Sequence, residues 1–132
     1  MKADIWMPLY IGDYLADTMH LTTEQHGAYL LLLMAYWRRG KALPACDKKL
    51  AAIVGMSLDA WSIAQAEIKE FFDTDSDPTL WVHKRVEKEL SAAQSKKEKA
   101  TEKARVAGER RWEKERERRR QSEEVFPLTE EL

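Results

Sequence analysis

The sequence predicts a mainly α fold: a small core over residues 1–83 with one β-hairpin, a long charged helix over 84–122, and a disordered acidic tail over 123–132. Three observations predict it. Residues 27–37, GAYLLLLMAYW, carry no charge and almost no polar group, so a helix built from them must be covered on all sides. The large apolar residues concentrate before position 83, four of the five tryptophans among them, which places one core there. Residues 84–121 hold no proline and one glycine, Gly108, in a stretch rich in Ala, Glu, Lys and Arg, a composition of high helix propensity. At 132 residues and 44% hydrophobic, the chain suits one domain of about 80–90 residues plus an extension.

The elements follow in order. Residues 4–11, DIWMPLYI, are aromatic and β-branched around a proline, so they are expected to run extended and pack Trp6, Leu9 and Tyr10 on the core. Residues 12–18 suit one or two helical turns, and Leu21 is placed to staple the next helix. That helix is expected over 23–39: Thr22 and Thr23 precede Glu24 and Gln25 as a capping box, and Gly40 follows Arg38 and Arg39 at the negative end of the dipole. Pro44 makes the next segment a connector. Asp47 is then expected to cap a short helix with Leu50, Ile53 and Val54 on its apolar edge, ended by Gly55. Ser57 caps another, in which Leu58, Trp61, Ala64, Ile68 and Phe71 share a face at helical spacing. Residues 72–75 and 79–83 are expected to pair as a hairpin around a Ser-Asp-Pro turn. Helix, helix-turn-helix and hairpin in that order define a winged-helix-like core. In the extension, Val86, Leu90, Ala93, Lys97, Ala100, Ala104 and Ala107 form a thin heptad seam whose first two members are expected to dock on the core. Beyond Trp112 the residues through Glu124 include no apolar side chain, so helix there rests on propensity and charge pairs and is expected to fray.

The net charge of −1 conceals a split. Residues 1–82 carry 7 Lys+Arg against 11 Asp+Glu, residues 83–122 carry 15 against 8, and the last ten carry four glutamates and no base. The basic block creates a local field for polyanions or acidic protein surfaces. Cys46 is the single cysteine, which excludes an internal disulfide and fits a reducing cytosol. Asp4, Pro8 and Asp13 interrupt any signal-peptide core, and eleven apolar residues are too few for a bilayer, which takes about 20. A cytoplasmic protein with no membrane contact is expected.

No catalytic, cofactor or metal signature emerges. Asp73, Asp75 and Asp77 begin like a calcium loop, but Pro78 and Lys84 replace the glycine and glutamate it needs; these aspartates suit a turn. His20, His26, His83 and Cys46 have no paired zinc spacing. An enzyme is therefore not expected. The positively charged groups carry the remaining signal, because Lys and Arg make most phosphate contacts. Arg38, Arg39, Lys41, Lys48 and Lys49 surround the first helix of the helix-turn-helix; Lys84 and Arg85 open the extension; Arg110, Arg111, Arg116, Arg118, Arg119 and Arg120 lie along it. The second helix is a poor reader of bases, since Asp59, Glu67 and Glu70 outnumber Lys69 and would be repelled in the major groove.

With WMPLYIGDYLADTMHLTTEQHGAYLLLLMAYWRRGKALP, the helical pair DKKLAAIVGMSLDAW, and WVHKRVEKEL leading to GERRW, the chain resembles the YdaU-type family over about residues 5–112. That family is a domain of undefined function found in phages and prophages, often at the N-terminus of phage replication proteins. The resemblance implies a winged-helix-like domain and a link to phage DNA replication, and it supplies no catalytic residues. The chain ends soon after the basic segment, so a stand-alone accessory or a fragment is expected. The leading expectation is a DNA-binding accessory of phage or prophage replication that contacts the phosphate backbone of single- or double-stranded DNA. The alternative is an interaction module that self-associates or docks a replication protein through residues 86–107.

Overall fold

A computed structural model describes residues 6–125. In chain order the elements are α1 (Ile11–Thr18), α2 (Thr23–Arg39), β1 (Leu43–Pro44), α3 (Asp47–Val54), α4 (Leu58–Lys69), β2 (Leu80–Trp81) and α5 (Lys84–Val125). The chain divides into two compact units between Gln94 and Ser95. The first contains all elements up to the opening turns of α5; the second is the remainder of that helix. No helix among the described residues is long and apolar enough to cross a membrane.

The expected bounds of α2 hold, and so do its signals. Thr22 accepts from the Gln25 amide at 3.1 Å while the Gln25 side chain accepts from the Thr22 amide at 2.8 Å, so two amides that lack helical partners are satisfied reciprocally. Gly40 ends the helix at φ 75° and donates to Tyr36 and Trp37 carbonyls, a left-handed cap that a side chain would strain. All-round burial does not hold. Ala28, Tyr29, Leu32, Leu33, Tyr36 and Trp37 are buried, whereas Leu31 and Met34 stand 43% and 55% exposed. Adjacent pairs recurring every fourth residue form a stripe on one side of a 3.6-residue helix; Leu31 and Met34 fall behind it.

The stripe meets α3 and α4 through Leu50, Ala51, Val54, Trp61, Ala64 and Ile68, all buried. Cys46, not Asp47, occupies the cap position of α3, with no side-chain bond there. Asp47 is drawn instead to Trp61, whose indole N–H donates to its Oδ1 at 3.1 Å; a buried indole needs an acceptor, and this one lies at the turn beneath it. Gly55, at φ 71°, ends α3, and the Ser57 hydroxyl accepts from the Ala60 amide at 3.1 Å to open α4. Leu58, at the first position, remains 46% exposed.

The expected hairpin is corrected. Residues 72–75 and 79–83 share one bridge, Asp73 with Val82, whose amides and carbonyls exchange bonds of 2.7 and 3.0 Å. The two-stranded antiparallel ladder is instead β1 with β2, pairing Leu43 with Trp81 and Pro44 with Leu80. The connector containing Pro44 is thus a strand, admissible because proline is tolerated where no ladder donor is required. The three aspartates behave as turn residues. Asp73 accepts from the amides of Asp75 and Ser76 and from the Ser76 hydroxyl, and Asp77 accepts from the Thr79 amide and hydroxyl. The hydroxyl bonds lead in holding both carboxyls below the usual range.

Two further expectations change. Trp6, Leu9 and Tyr10 are exposed at 71%, 43% and 50%; Met7 packs on the core in their place, since the segment at 6–10 is irregular and cannot turn every second side chain inward. The helix of the extension reaches Val125, three residues into the stretch expected to be tail, with residues 126–132 lying outside the described ones. Arg105 bridges Glu102 and Glu109, Arg118 and Arg119 share Glu115, and Arg120 meets Glu117. Such i,i+3 and i,i+4 pairs support a helix that has no apolar partner.

Leu32 is fully buried, so Leu32→Ala should cost about 2–5 kcal/mol in urea unfolding followed by circular dichroism. Leu31→Ala, one position along the same helix, should cost under about 1 kcal/mol; equal losses would refute the one-sided stripe.

Candidate nucleic-acid interface

Arg38 and Arg39 lie in the last turn of α2, Lys41 in the turn after Gly40, and Lys48 and Lys49 in the first turn of α3. All five are exposed. The apolar stripe of α2 and the buried Leu50 of α3 turn the opposite faces inward, so the cations are left at the surface by amphipathicity. Among the described residues none of the five has an ion pair. Arg38 and Arg39 border a shallow depression with Leu31, Met34, Leu43 and Ile53, an apolar floor beside two guanidinium groups.

The other expected contacts divide. Lys84 is exposed and stands near enough to Asp73 to favour its ionised form. Arg85 is engaged within the core unit: it meets Asp13 at 2.9 Å and lies 4.4 Å above the ring centre of Tyr10. Along the extension Arg110, Arg111 and Arg116 are exposed with no ion pair among the described residues, whereas Arg118, Arg119 and Arg120 are paired with glutamates. Asp59 and Glu67 in α4 and Glu70 at its C-cap are exposed beside Lys69, which leaves that helix acidic at its surface. Val86 and Leu90 are buried on the core and Ala93 packs against it, so of the seam at 86–107 only the part from Lys97 onward remains for a partner.

Sequence reasoning missed a second feature of the core unit. A cleft of about 540 Å³ opens between residues 7–10, α1, α2, residues 70–73 and residues 83–89, and its lining includes Tyr10, Tyr14, Tyr29, Phe71, His83 and Arg85. Tyr29 stacks on Phe71 at 4.6 Å and on Tyr14 at 5.9 Å. Of the histidines set aside as zinc ligands, His26 and His83 are hydrogen-bonded here and His20 stacks on Phe71 at 5.8 Å. Tyr14 and the His26 Nδ1 are 2.8 Å apart. His83 accepts from the Val86 amide at Nδ1, 3.2 Å, and so carries its proton on Nε2, which donates to the Tyr29 hydroxyl at 2.7 Å. His83 therefore caps α5, and burial, followed by the nearby Arg85, pushes its pKa down. Burial pushes the Tyr14 and Tyr29 phenols up, so both rings stay neutral at physiological pH. These residues come from separate elements, and no spacing in the sequence brings them together.

The arrangement defines a mainly helical protein with a two-stranded sheet, an exposed basic corner and an aromatic cleft. A family model described as "Protein of unknown function (DUF1376)" matches residues 5–91, and the chain belongs to that family. It is 43% identical over 112 residues to "Uncharacterized protein YdaU" of Escherichia coli (strain K12), an alignment taking in 83% of this chain and 38% of the relative. The chain thus spans little more than a third of that relative's length. No solved structure matches it.

The His83 cap carries a pH dependence of definite sign. Its folded pKa lies below the ordinary 6.5, so the unfolded chain takes the proton first and stability is full above pH 6.5. Stability falls as the pH drops through the folded pKa. His83→Asn, which retains an acceptor for the Val86 amide, should flatten the dependence of unfolding free energy between pH 7 and 5; an unaltered slope would assign it to another group.

Proposed function

We propose that this chain is a DNA-binding accessory of phage or prophage DNA replication that contacts the phosphate backbone of DNA without reading its sequence. The observation that carries the reading is the corner of five exposed cations, Arg38, Arg39, Lys41, Lys48 and Lys49, none of them ion-paired among the described residues. Cations free of internal carboxylates can neutralise phosphates and release counterions. The order α2, β1, α3, α4, then the Asp73 segment and β2 supports a winged-helix-like core, because a short strand between the first two helices pairs with the strand after the third. Under that assignment α4 is the helix that would enter a major groove, and its surface carboxylates oppose close approach to phosphate. Backbone contact through the basic corner avoids that repulsion. Arg110, Arg111 and Arg116 extend the same chemistry along α5. Membership of the family supports the link to phage replication through the resemblance described above.

A second reading is favoured by Ala100, Ala104 and Ala107, which stand exposed on one seam of α5: an interaction module that self-associates or docks a replication partner through the long helix.

Fluorescence anisotropy with unrelated duplex and single-stranded DNA over a range of salt tests the first reading. Changing Arg38, Arg39, Lys41, Lys48 and Lys49 to Gln should weaken binding alike for every sequence and flatten the log–log salt slope by up to about 4.5. Changing Arg110, Arg111 and Arg116 should weaken it more than changing Arg118, Arg119 and Arg120, whose guanidinium groups must first leave their glutamates. If both sets leave the slope unmoved while Ala100→Glu or Ala104→Glu disrupts association in sedimentation, the interaction module replaces the DNA reading.

A further inference from the structure

The aromatic cleft stands apart from the phosphate chemistry, because its charge has the opposite sign. Asp17, Glu70, Asp73 and Glu89 line it against Lys84 and Arg85. Arg85 is already matched by Asp13, and Asp73 by Ser76 and the adjacent amides. The carboxylates of Asp17, Glu70 and Glu89 have neither hydrogen bond nor ion pair among the described residues, and that of Glu70 lies within 4.8 Å of the Glu67 carboxylate and the His20 ring nitrogen. Three unmatched carboxylates around an aromatic wall repel a phosphate and attract a cation.

We propose that this cleft binds an arginine or lysine side chain presented by a basic peptide segment of another protein. The rings of Tyr10 and Tyr14 in the lining supply the surface on which a cation on an apolar stem is held, since a ring attracts a guanidinium or ammonium within about 6 Å of its centre. The molecule already displays that contact at the rim, where the Arg85 guanidinium lies 4.4 Å above Tyr10. The volume of about 540 Å³ falls inside the range of roughly 300–1,000 Å³ of sites that enclose small guests. A peptide suits the site better than a free cation because the lining includes exposed Leu9, and Trp6 and Ile11, next in the chain to the lining residues Met7 and Tyr10, are exposed as well. An isolated guanidinium would leave that apolar border in water, whereas residues flanking an arginine would cover it. The neutral phenols of Tyr14 and Tyr29, kept protonated by burial, preserve the electron-rich ring faces and add no charge of their own.

The test uses the full chain and a fluorescein-labelled peptide of alternating arginine and leucine, with a counterpart in which citrulline, neutral and of nearly the same shape, replaces arginine. Anisotropy should show the arginine peptide binding at least tenfold tighter. The Asp17→Asn, Glu70→Gln, Glu89→Gln variant should lose tenfold or more. A control with the same change of charge away from the cleft, Glu24→Gln, Asp59→Asn, Asp75→Asn, should keep wild-type affinity. Tyr10→Ala, at an exposed position, should weaken binding without altering the thermal transition. Equal affinity for the citrulline peptide, or equal losses in the control variant, would overturn the proposal by reducing it to packing alone or to the general field of the acidic core. Displacement of the peptide by free arginine amide at matching concentration would overturn the peptide part. The proposal does not depend on DNA binding: the Asp17, Glu70 and Glu89 changes leave the basic corner intact, so each reading can fail alone.

Discussion

Two tyrosine hydroxyls on the buried face of α2 determine where the last helix of the core begins. Tyr36 is fully buried, yet its hydroxyl donates to Glu87 and accepts from the His83 amide at 3.3 Å. Tyr29, two turns earlier, receives the Nε2 proton of His83. A phenol buried without partners costs free energy, so these two positions on α2 can be occupied only if residues 83–87 lie against them. That requirement draws Val86 and Leu90 into the core and gives β2, immediately upstream, its place beside β1. Burial, and then the bond to Glu87, push the Tyr36 phenol up, which keeps it protonated and able to donate.

The helices were legible because their signals are local. The Thr22 box, the glycines at 40 and 55, and Ser57 each act within four residues of themselves. The sheet was not. Leu43 and Pro44 become a strand only by pairing with Leu80 and Trp81, and nothing in KALPAC announces a partner so far along the chain. The same limit explains Asp47: its spacing suits a cap, but the indole of Trp61 decides its use. Inside the apolar run the composition was informative and the facing was not, since five consecutive leucine and methionine side chains, Leu30 to Met34, cannot state which of them a neighbouring helix will cover.

The candidate sites were legible to different degrees for a related reason. Each cation of the basic corner could be named from the sequence, and its exposure follows from an amphipathic helix. The glutamates within reach of Arg118, Arg119 and Arg120 were equally visible at three- and four-residue spacing, yet net charge treats a paired and an unpaired arginine alike. The aromatic cleft could not be foreseen, because its walls come from the segment before α1, from α1, α2, residues 70–73 and residues 83–89. Only the folded chain gathers them.

The ladder between β1 and β2 ends, on its β1 side, at Pro44. A two-residue strand closed by an imide has almost no amide to offer an incoming chain, so the outer margin of this sheet cannot seed the strand-by-strand growth through which exposed edges recruit one another. Where two molecules of this protein meet along that margin, the contact therefore falls to side chains and not to the backbone.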